Sequence, residues 1–311
     1  MSETSDGQHT RVAGFAAALL CGAIMGISWP LQKYVLSQDV IGPAVLHWLN
    51  VIGLFAIIAP IYLLRHKGRL RFPGFSPWWL LLFGCVACVM HFCRKWGVGE
   101  TSATTAAVVE RSEVIFVFIF SYFVLKKPVR PIGWLGTVLV LYGTIRVALV
   151  GSAELNFNPL GVAALALVGL TIAINALLIK TKFTGIPNEL IILGSMAVQL
   201  VVFSVAVPSA GMLPEVAALT QVPVLMGLVA LGSVVWGVRL VVYYFALKRA
   251  PMWAVGMLTL TGLPVATLAD LLVLRAPVTA AHVVGLLAAT AGAALVILAE
   301  RGQHLQDGEG L

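Results

Sequence analysis

Charge is scarce in this sequence. Asp, Glu, Lys and Arg make up 11% of its 311 residues, against roughly 25% in soluble domains. Hydrophobic residues reach 60%, and the mean hydropathy is +0.98. A chain of this length cannot hide so much apolar surface in a water-soluble core, which excludes a soluble enzyme or binding module and leaves an integral membrane protein. Cysteine is scarce too: the four, Cys21, Cys85, Cys88 and Cys93, all lie inside apolar runs. Cys85 and Cys88 have CxxC spacing, but neither a second such pair nor a neighbouring His pair completes a zinc site. They read as small packing residues, and no metal is expected. The sequence also lacks a phosphate-binding GxxxxGK[ST], an HExxH and a GxSxG, so neither ATP coupling within the chain nor catalytic residues are expected, and no cofactor. The segment Met1–Arg11 supplies neither the basic n-region nor the cleavage site of a signal peptide, so the first apolar run reads as a retained span. Strand-length alternation is absent, and lipid demands an internally satisfied backbone, so helices are expected.

The charge that is present is unevenly placed. The net charge of +7 does not point to nucleic acid, because the basic residues sit between apolar runs rather than on one soluble face. They set topology and meet the headgroups of the lipid bilayer. Ten apolar runs are long enough to span about 30 Å at about 20 residues each. They cover 12–34, 43–64, 77–97, 103–125, 131–150, 159–179, 187–208, 222–246, 252–274 and 279–299. Alternate connectors are basic: Arg65–Arg71 holds four Lys or Arg, Lys126–Arg130 three, Lys180–Lys182 two and Lys248-Arg249 two. The intervening set holds none, except for Arg275. The positive-inside rule then puts both termini in the cytoplasm.

An internal repeat underlies this pattern. A shift of 149 residues lays Trp96–Gly136 over Phe245–Gly285 without a gap. Val124-Leu125, Pro128-Val129, Gly136 and Gly143 recur as Val273-Leu274, Pro277-Val278, Gly285 and Gly292. Equivalent loops differ in basic content: Gly99-Glu100 corresponds to Lys248-Arg249, and Lys126-Lys127 to Arg275-Ala276. If each half has five spans, the second half enters the membrane upside down, as in inverted-topology repeats. The expected architecture is all-α integral membrane, with ten transmembrane helices as two inverted five-helix repeats. Residues 1–11 form a cytoplasmic tail, 12–150 the first repeat, 151–299 the second, and 300–311 a second cytoplasmic tail.

The stretch SATTAAVVERSEVIFVFIFSYFVLKKP, the following IGWLGTVLVLYG, and their counterparts from Ala250 to Gly292 resemble the EamA-type ten-helix family of the drug/metabolite transporter superfamily. The shared features are an Ala-rich start to the fourth and ninth helices, a VLxxP end and a Gly-punctuated helix after it. The chain departs from the family pattern in two places. Lys126-Lys127 and Arg275-Ala276 stand where Gly-Glu is common, and His47-Trp48-Leu49-Asn50 where the second helix commonly has an Arg. The resemblance implies a secondary transporter in the inner (cytoplasmic) membrane, acting on small metabolites such as amino acids, by analogy as an exporter or exchanger.

Glu110-Arg111-Ser112-Glu113 interrupts an otherwise hydrocarbon-compatible helix. Each charge at the bilayer centre costs about 2.5–3.5 kcal/mol unless it meets a partner or water. Glu110 and Glu113 are three apart and share a helix face, while Arg111 points away from Glu110. They read either as a proton or substrate site or as a static salt bridge holding helices together. His91, Arg94 and Lys95 share a face of the third helix. At 1.5 Å per residue, His91 lies about 9 Å and Glu110 about 10 Å below the outer end. The short connector makes the third and fourth helices antiparallel neighbours, so His91 or Arg94 can meet Glu110; Arg94 and Lys95 can equally snorkel to the headgroups. Arg239, in the eighth helix, either partners an acid or an anionic substrate or snorkels inward. Trp29, Trp236 and Tyr243, like Trp48 and Tyr244, lie within spans and need partners for their polar tips, which a wet cavity supplies. Lys33, Arg146 and Asp270 read as interface anchors. Pro30 and Pro264 are bends or gates.

The expectation is therefore a carrier of a small polar or amphipathic metabolite working by alternating access, with proton coupling, as a monomer or homodimer. The alternative is a non-transporting scaffold or an intramembrane enzyme. A scaffold keeps Glu110, Arg111, Glu113 and Arg239 fully paired, whereas a carrier needs some of them in a wet cavity.

Overall fold

Five helices open on proline, which suits a first turn where no backbone donor is needed. The computed structural model describes residues 3–65, 77–101, 109–110, 112–126, 130–150, 158–262, 265 and 280–306. In chain order the helices are α1 Glu3–Leu36, α2 Pro43–Arg65, α3 Pro77–Glu100, α4 Glu113–Phe123, α5 Pro131–Val150, α6 Pro159–Thr181, α7 Asn188–Ser209, α8 Leu213–Thr220, α9 Pro223–Arg249, α10 Met252–Thr259 and α11 Ala280–Gln306. There is no strand among the described residues. Asn158 caps α6 by accepting from the amides of Leu160 and Gly161. At the other end of the second half, Ala250 is extended before Pro251, because a residue preceding proline is pushed out of the helical region, and α9 stops there.

Among the described residues, six helices are long and apolar enough to cross a membrane: α1 from Thr10 onward, α2, α3, α6, α7 and α9. Shorter apolar stretches lie in α5 and α11. Leu64, Leu160, Val201 and Val224 point outward with most of their surface exposed, as expected where hydrocarbon rather than water surrounds the protein. The chain is a multi-pass membrane protein.

Helix pairing follows the sequence repeat. α1 packs on α9 and α3 on α6; α2 packs on α9 and α3 on α7. The 149-residue offset carries the first member of each couplet onto the second. The most extensive pairing is α5 with α11, which are themselves related by that offset. The main core gathers Tyr62, Phe83, Phe183, Leu247 and Trp253, with Phe83 edge-on to Phe183 at 5.5 Å between ring centroids.

Several boundaries differ from those expected. α1 begins at Glu3 and α11 runs to Gln306, so helix extends into both segments expected to be tails. α8 occupies the connector expected between 209 and 221. It is tied to the α1–α2 connector, where the Gly42 amide donates to Glu215 Oε2 at 2.6 Å. Pro30, expected as a bend or gate, sits inside α1. Pro264 and Asp270 lie outside the described residues.

Candidate functional site

Burial forces the polar groups of the span interiors to find one another. Glu110 is 0% exposed and Arg94 4%. Arg94 donates through Nη2 to Glu110 Oε1 at 2.5 Å and through Nε to Oε2 at 3.0 Å. Trp29 Nε1 donates to the same Oε2 at 3.4 Å. A planar guanidinium matches a carboxylate in this forked geometry. The pair joins α1, α3 and the start of the fourth run.

The backbone tightens where this pair sits. The Ser112 amide donates to Val109 O and the Ile115 amide to Ser112 O, both at 3.0 Å. Bonds from i to i+3 belong to a turn tighter than the α-helix, in which residues three apart eclipse. The same segment presses on α6 at Gly169, where a Cβ would lie 2.4 Å from Ser112 Oγ and 2.7 Å from the Glu113 amide nitrogen. Only glycine permits that approach.

Glu113, 3% exposed, lines a cavity of about 460 Å³ between the halves. Its polar wall is Arg94, Glu113, Asn175, Arg239, Tyr243 and Thr259. Its apolar wall is Cys21, Met25, Met90, Ile172 and Leu240, with Tyr244 completing the lining. A second cavity of about 320 Å³ lies further along α1 and α9 and is lined by Ser28, Leu31, Gln32, Asn50, Gly232, Trp236 and Arg239. Two of its polar atoms, Gln32 Oε1 and Trp236 Nε1, are buried without a hydrogen-bond partner. The Asn50 amide is held by donation to Val229 O and Ser233 Oγ, each at 3.1 Å.

Arg239 is common to both cavities. It is 8% exposed, and its side chain makes no hydrogen bond or ion pair among the described residues. A buried guanidinium without a partner is costly, so its charge is left for something the cavity admits.

Beside it stands a cluster that joins the two halves. Lys95, 5% exposed, donates to His47 Nδ1 at 3.2 Å and lies over the Trp236 ring at 5.4 Å. His91 stacks on His47 at 5.4 Å and meets Trp236 edge-on at 4.7 Å. Donation to Nδ1 leaves the ring proton of a neutral His47 on Nε2. Gln199 lies beside His47.

Arg94, Glu110 and Trp29 are thus brought into one contact, and Arg94, Glu113, Arg239 and Tyr243 onto one cavity wall. Trp236 belongs to the second cavity, and His91 to the ring cluster rather than to Glu110. Arg111 lies outside the described residues. Lys33 caps the end of α3, donating to Val98 O and Thr101 O at 3.1 Å and to Gly99 O at 3.3 Å. Arg146 is exposed. Sequence reasoning missed His47, Asn50, Gln199 and Asn175. The signal for the first two was the i, i+3 pair in His47-Trp48-Leu49-Asn50, polar groups on one face of an apolar helix. No group of three or more His, Cys, Asp or Glu among the described residues is arranged to hold a metal.

No curated protein matches the chain. Among solved structures 29 chains match. One of them, described only as the crystal structure of a protein, is 20% identical, with a TM-score of 0.71 over 91% of this chain and 97% of that one. At that identity the likeness speaks for the fold alone. Residues 12–149 match the EamA-like transporter family, while the stretch from Ala250 to Gly292 that carries part of the resemblance lies outside the match. Residues 12–149 are thus similar to the EamA-like transporter family of the drug/metabolite transporter superfamily.

Proposed function

We propose that this protein is a secondary transporter of a small polar or amphipathic metabolite, such as an amino acid, exported or exchanged by alternating access. The carrying observation is the cavity of about 460 Å³, walled by α1, α3 and α4 on one side and α6, α9 and α10 on the other, with charged side chains facing it. Ligand sites for small molecules are concave and mostly apolar, with a few placed polar groups. In repeat-built carriers they sit at the interface of the repeats. The helix couplets related by the 149-residue offset support the reading of ten transmembrane helices as two inverted five-helix repeats, residues 12–150 and 151–299. Unpaired polar groups in the cavities favour a carrier over a scaffold, and the family favours it over an intramembrane enzyme. The reading includes insertion in the inner membrane with both termini cytoplasmic, as a monomer or homodimer.

Proton coupling would run through a carboxylate. Glu110 is locked in its fork with Arg94, so Glu113 on the cavity wall is the group that exchanges a proton or meets a substrate cation. The test is substrate exchange in proteoliposomes with and without a pH gradient, after a melting-temperature screen of metabolites names a substrate. Glu113→Gln is expected to remove the response to the gradient. If Glu110→Gln and Glu113→Gln both transport like wild type at every pH, the carboxylates are structural and the mechanism is wrong. Orientation is tested separately: cysteines placed at Ser152 and Gln303 should label from outside and inside respectively, and the reverse pattern rejects the topology.

A further inference from the structure

The cavity reading, on which this inference rests, leaves one charge unanswered. The buried Asp, Glu, Lys and Arg side chains among the described residues are Arg94, Lys95, Arg239, Glu110 and Glu113. Arg94 is committed to Glu110 by two hydrogen bonds. Lys95 is committed to His47. Arg239 makes no hydrogen bond or ion pair among the described residues, though it is nine-tenths buried and stands where the two cavities meet. Among the described residues, three buried basic groups stand against two acidic ones, an excess of one positive charge. An occupant bearing a single negative charge removes that excess; a neutral or cationic occupant does not.

We propose that Arg239 is the anion-binding residue of the transport site, and that the occupant is a small aliphatic monocarboxylate. Its carboxylate lies on the Arg239 guanidinium at the junction of the two cavities, since the planar fork pairs with a carboxylate through two parallel bonds. Its tail lies in the larger cavity among Met25, Met90, Ile172 and Leu240. Methionine-rich walls accommodate branched tails of differing shape. The smaller cavity offers the Trp236 indole N–H, a donor with no hydrogen-bond partner among the described residues. An anion passing along α1 and α9 meets that donor next to Arg239 and is therefore held by donors on either side of the junction.

The experiment uses the full chain, purified in a neutral detergent, and three probes that share one tail: 4-methylpentanoate, its amide 4-methylpentanamide, and 3-methylbutylamine. Binding is read as melting-temperature shift and by calorimetry. The carboxylate is expected to bind wild type, and the amide and amine are not. Arg239→Gln should weaken 4-methylpentanoate by at least roughly thirtyfold, the lower end for removing one partner of a buried charge pair. Arg239→Lys should keep part of the affinity. Since Arg239 is unpaired, both variants should melt no lower than wild type without ligand, which separates loss of binding from loss of fold. Failure of 4-methylpentanoate to bind, equal binding of the amide or the amine, or unchanged affinity in Arg239→Gln each overturns the proposal. So does stabilisation by phosphatidylglycerol alone that depends on Arg239, since the site would then be a lipid site. Counterflow in proteoliposomes separates this proposal from the transport reading. Arg239-dependent binding without counterflow leaves the anion site standing and removes the transporter. Counterflow of the amide or amine that ignores Arg239 does the reverse.

Discussion

The turn at Glu110–Glu113 and its counterpart at Thr259–Gly262 occupy matching places in the two halves and do different things there. Each presses on a helix of the other half through glycine. Ser112 and Glu113 lie against Gly169 of α6, while Gly262 lies against Gly22 of α1, where a Cβ on Gly262 would come 2.4 Å from the Gly22 carbonyl oxygen. The packing is repeated. The charges are not: Glu110 holds Arg94, whereas Thr259 only turns its hydroxyl back on Gly256 O at 2.8 Å. The offset of 149 likewise sets Arg94 against Tyr243 and Arg239 against Met90. Close packing limits both halves equally, because both must bring backbones together in lipid. Charge is needed at one place only, so each matched pair carries it on one side. The two halves thus share a frame and supply different parts of one cavity wall.

The largest expected effect breaks the charged side of that comparison. Arg94→Leu leaves Glu110 buried without its fork and should cost about 3–5 kcal/mol, the range for removing one partner of a buried ion pair. Tyr243→Phe, at the repeat position, removes one hydroxyl and should cost less than about 1.5 kcal/mol. Denaturation of the reconstituted protein followed by tryptophan fluorescence compares them. Equal losses would show that the ion pair carries no more of the stability than its neutral counterpart. The double variant Arg94→Leu, Glu110→Leu should recover most of the loss, since an apolar pair of similar volume has no charge to desolvate.

The next effect sharpens the shared side. Gly169→Ala and Gly262→Ala each place a methyl inside contact distance of another helix, and overpacking costs about 1–3 kcal/mol. The two should agree within about 1 kcal/mol if both halves are held to one packing distance. At Gly262 the obstacle is backbone and cannot rotate away, whereas at Gly169 the Ser112 hydroxyl can turn but the Glu113 amide cannot. Gly262→Ala should therefore be the worse of the two, by melting temperature in nanodiscs. The reverse order would contradict the repeat of packing.

How much of this was legible in the sequence depends on what each feature required. The Glu110–Arg94 pair was within reach, because a carboxylate in an apolar run needs a partner and a short connector brings α3 alongside. The lack of a partner for Arg239 was not, since it depends on every neighbour from helices far apart in sequence. Lys95 was left between the headgroups and the interior. Its choice of His47 depends on how α2 meets α3, which periodicity does not encode. The helical span of α8 is only Leu213–Thr220, too short for a periodic signal. The helix couplets were legible because the repeat acts on punctuation, glycine and proline, whose backbone demands survive when side chains diverge.

The smallest effect concerns one lysine at the same repeat position in both halves. Lys33 and Lys182 are 149 apart; Lys33 lies in the last turn of α1 and Lys182 directly follows α6. Lys33 reaches across to α3 and donates to three carbonyl oxygens at its end. Those carbonyls have no donors within their own helix, and the negative end of the helix dipole favours a cation there. Lys182 makes a different contact, resting over the exposed side of Trp79 at 4.5 Å from the ring centre. A cation over an indole at an exposed site is worth about 0.5–1 kcal/mol, and the α3 cap about 1–2 kcal/mol in a partly buried geometry. Lys33→Met should therefore lower stability by about 1–2 kcal/mol and Lys182→Met by less than about 1 kcal/mol. Added salt should shrink the second difference more than the first, because screening acts on exposed charges. Melting curves of both variants at low and high salt decide it. If Lys182→Met proves the more costly at either salt concentration, the capping of α3 by Lys33 is not what holds that corner together.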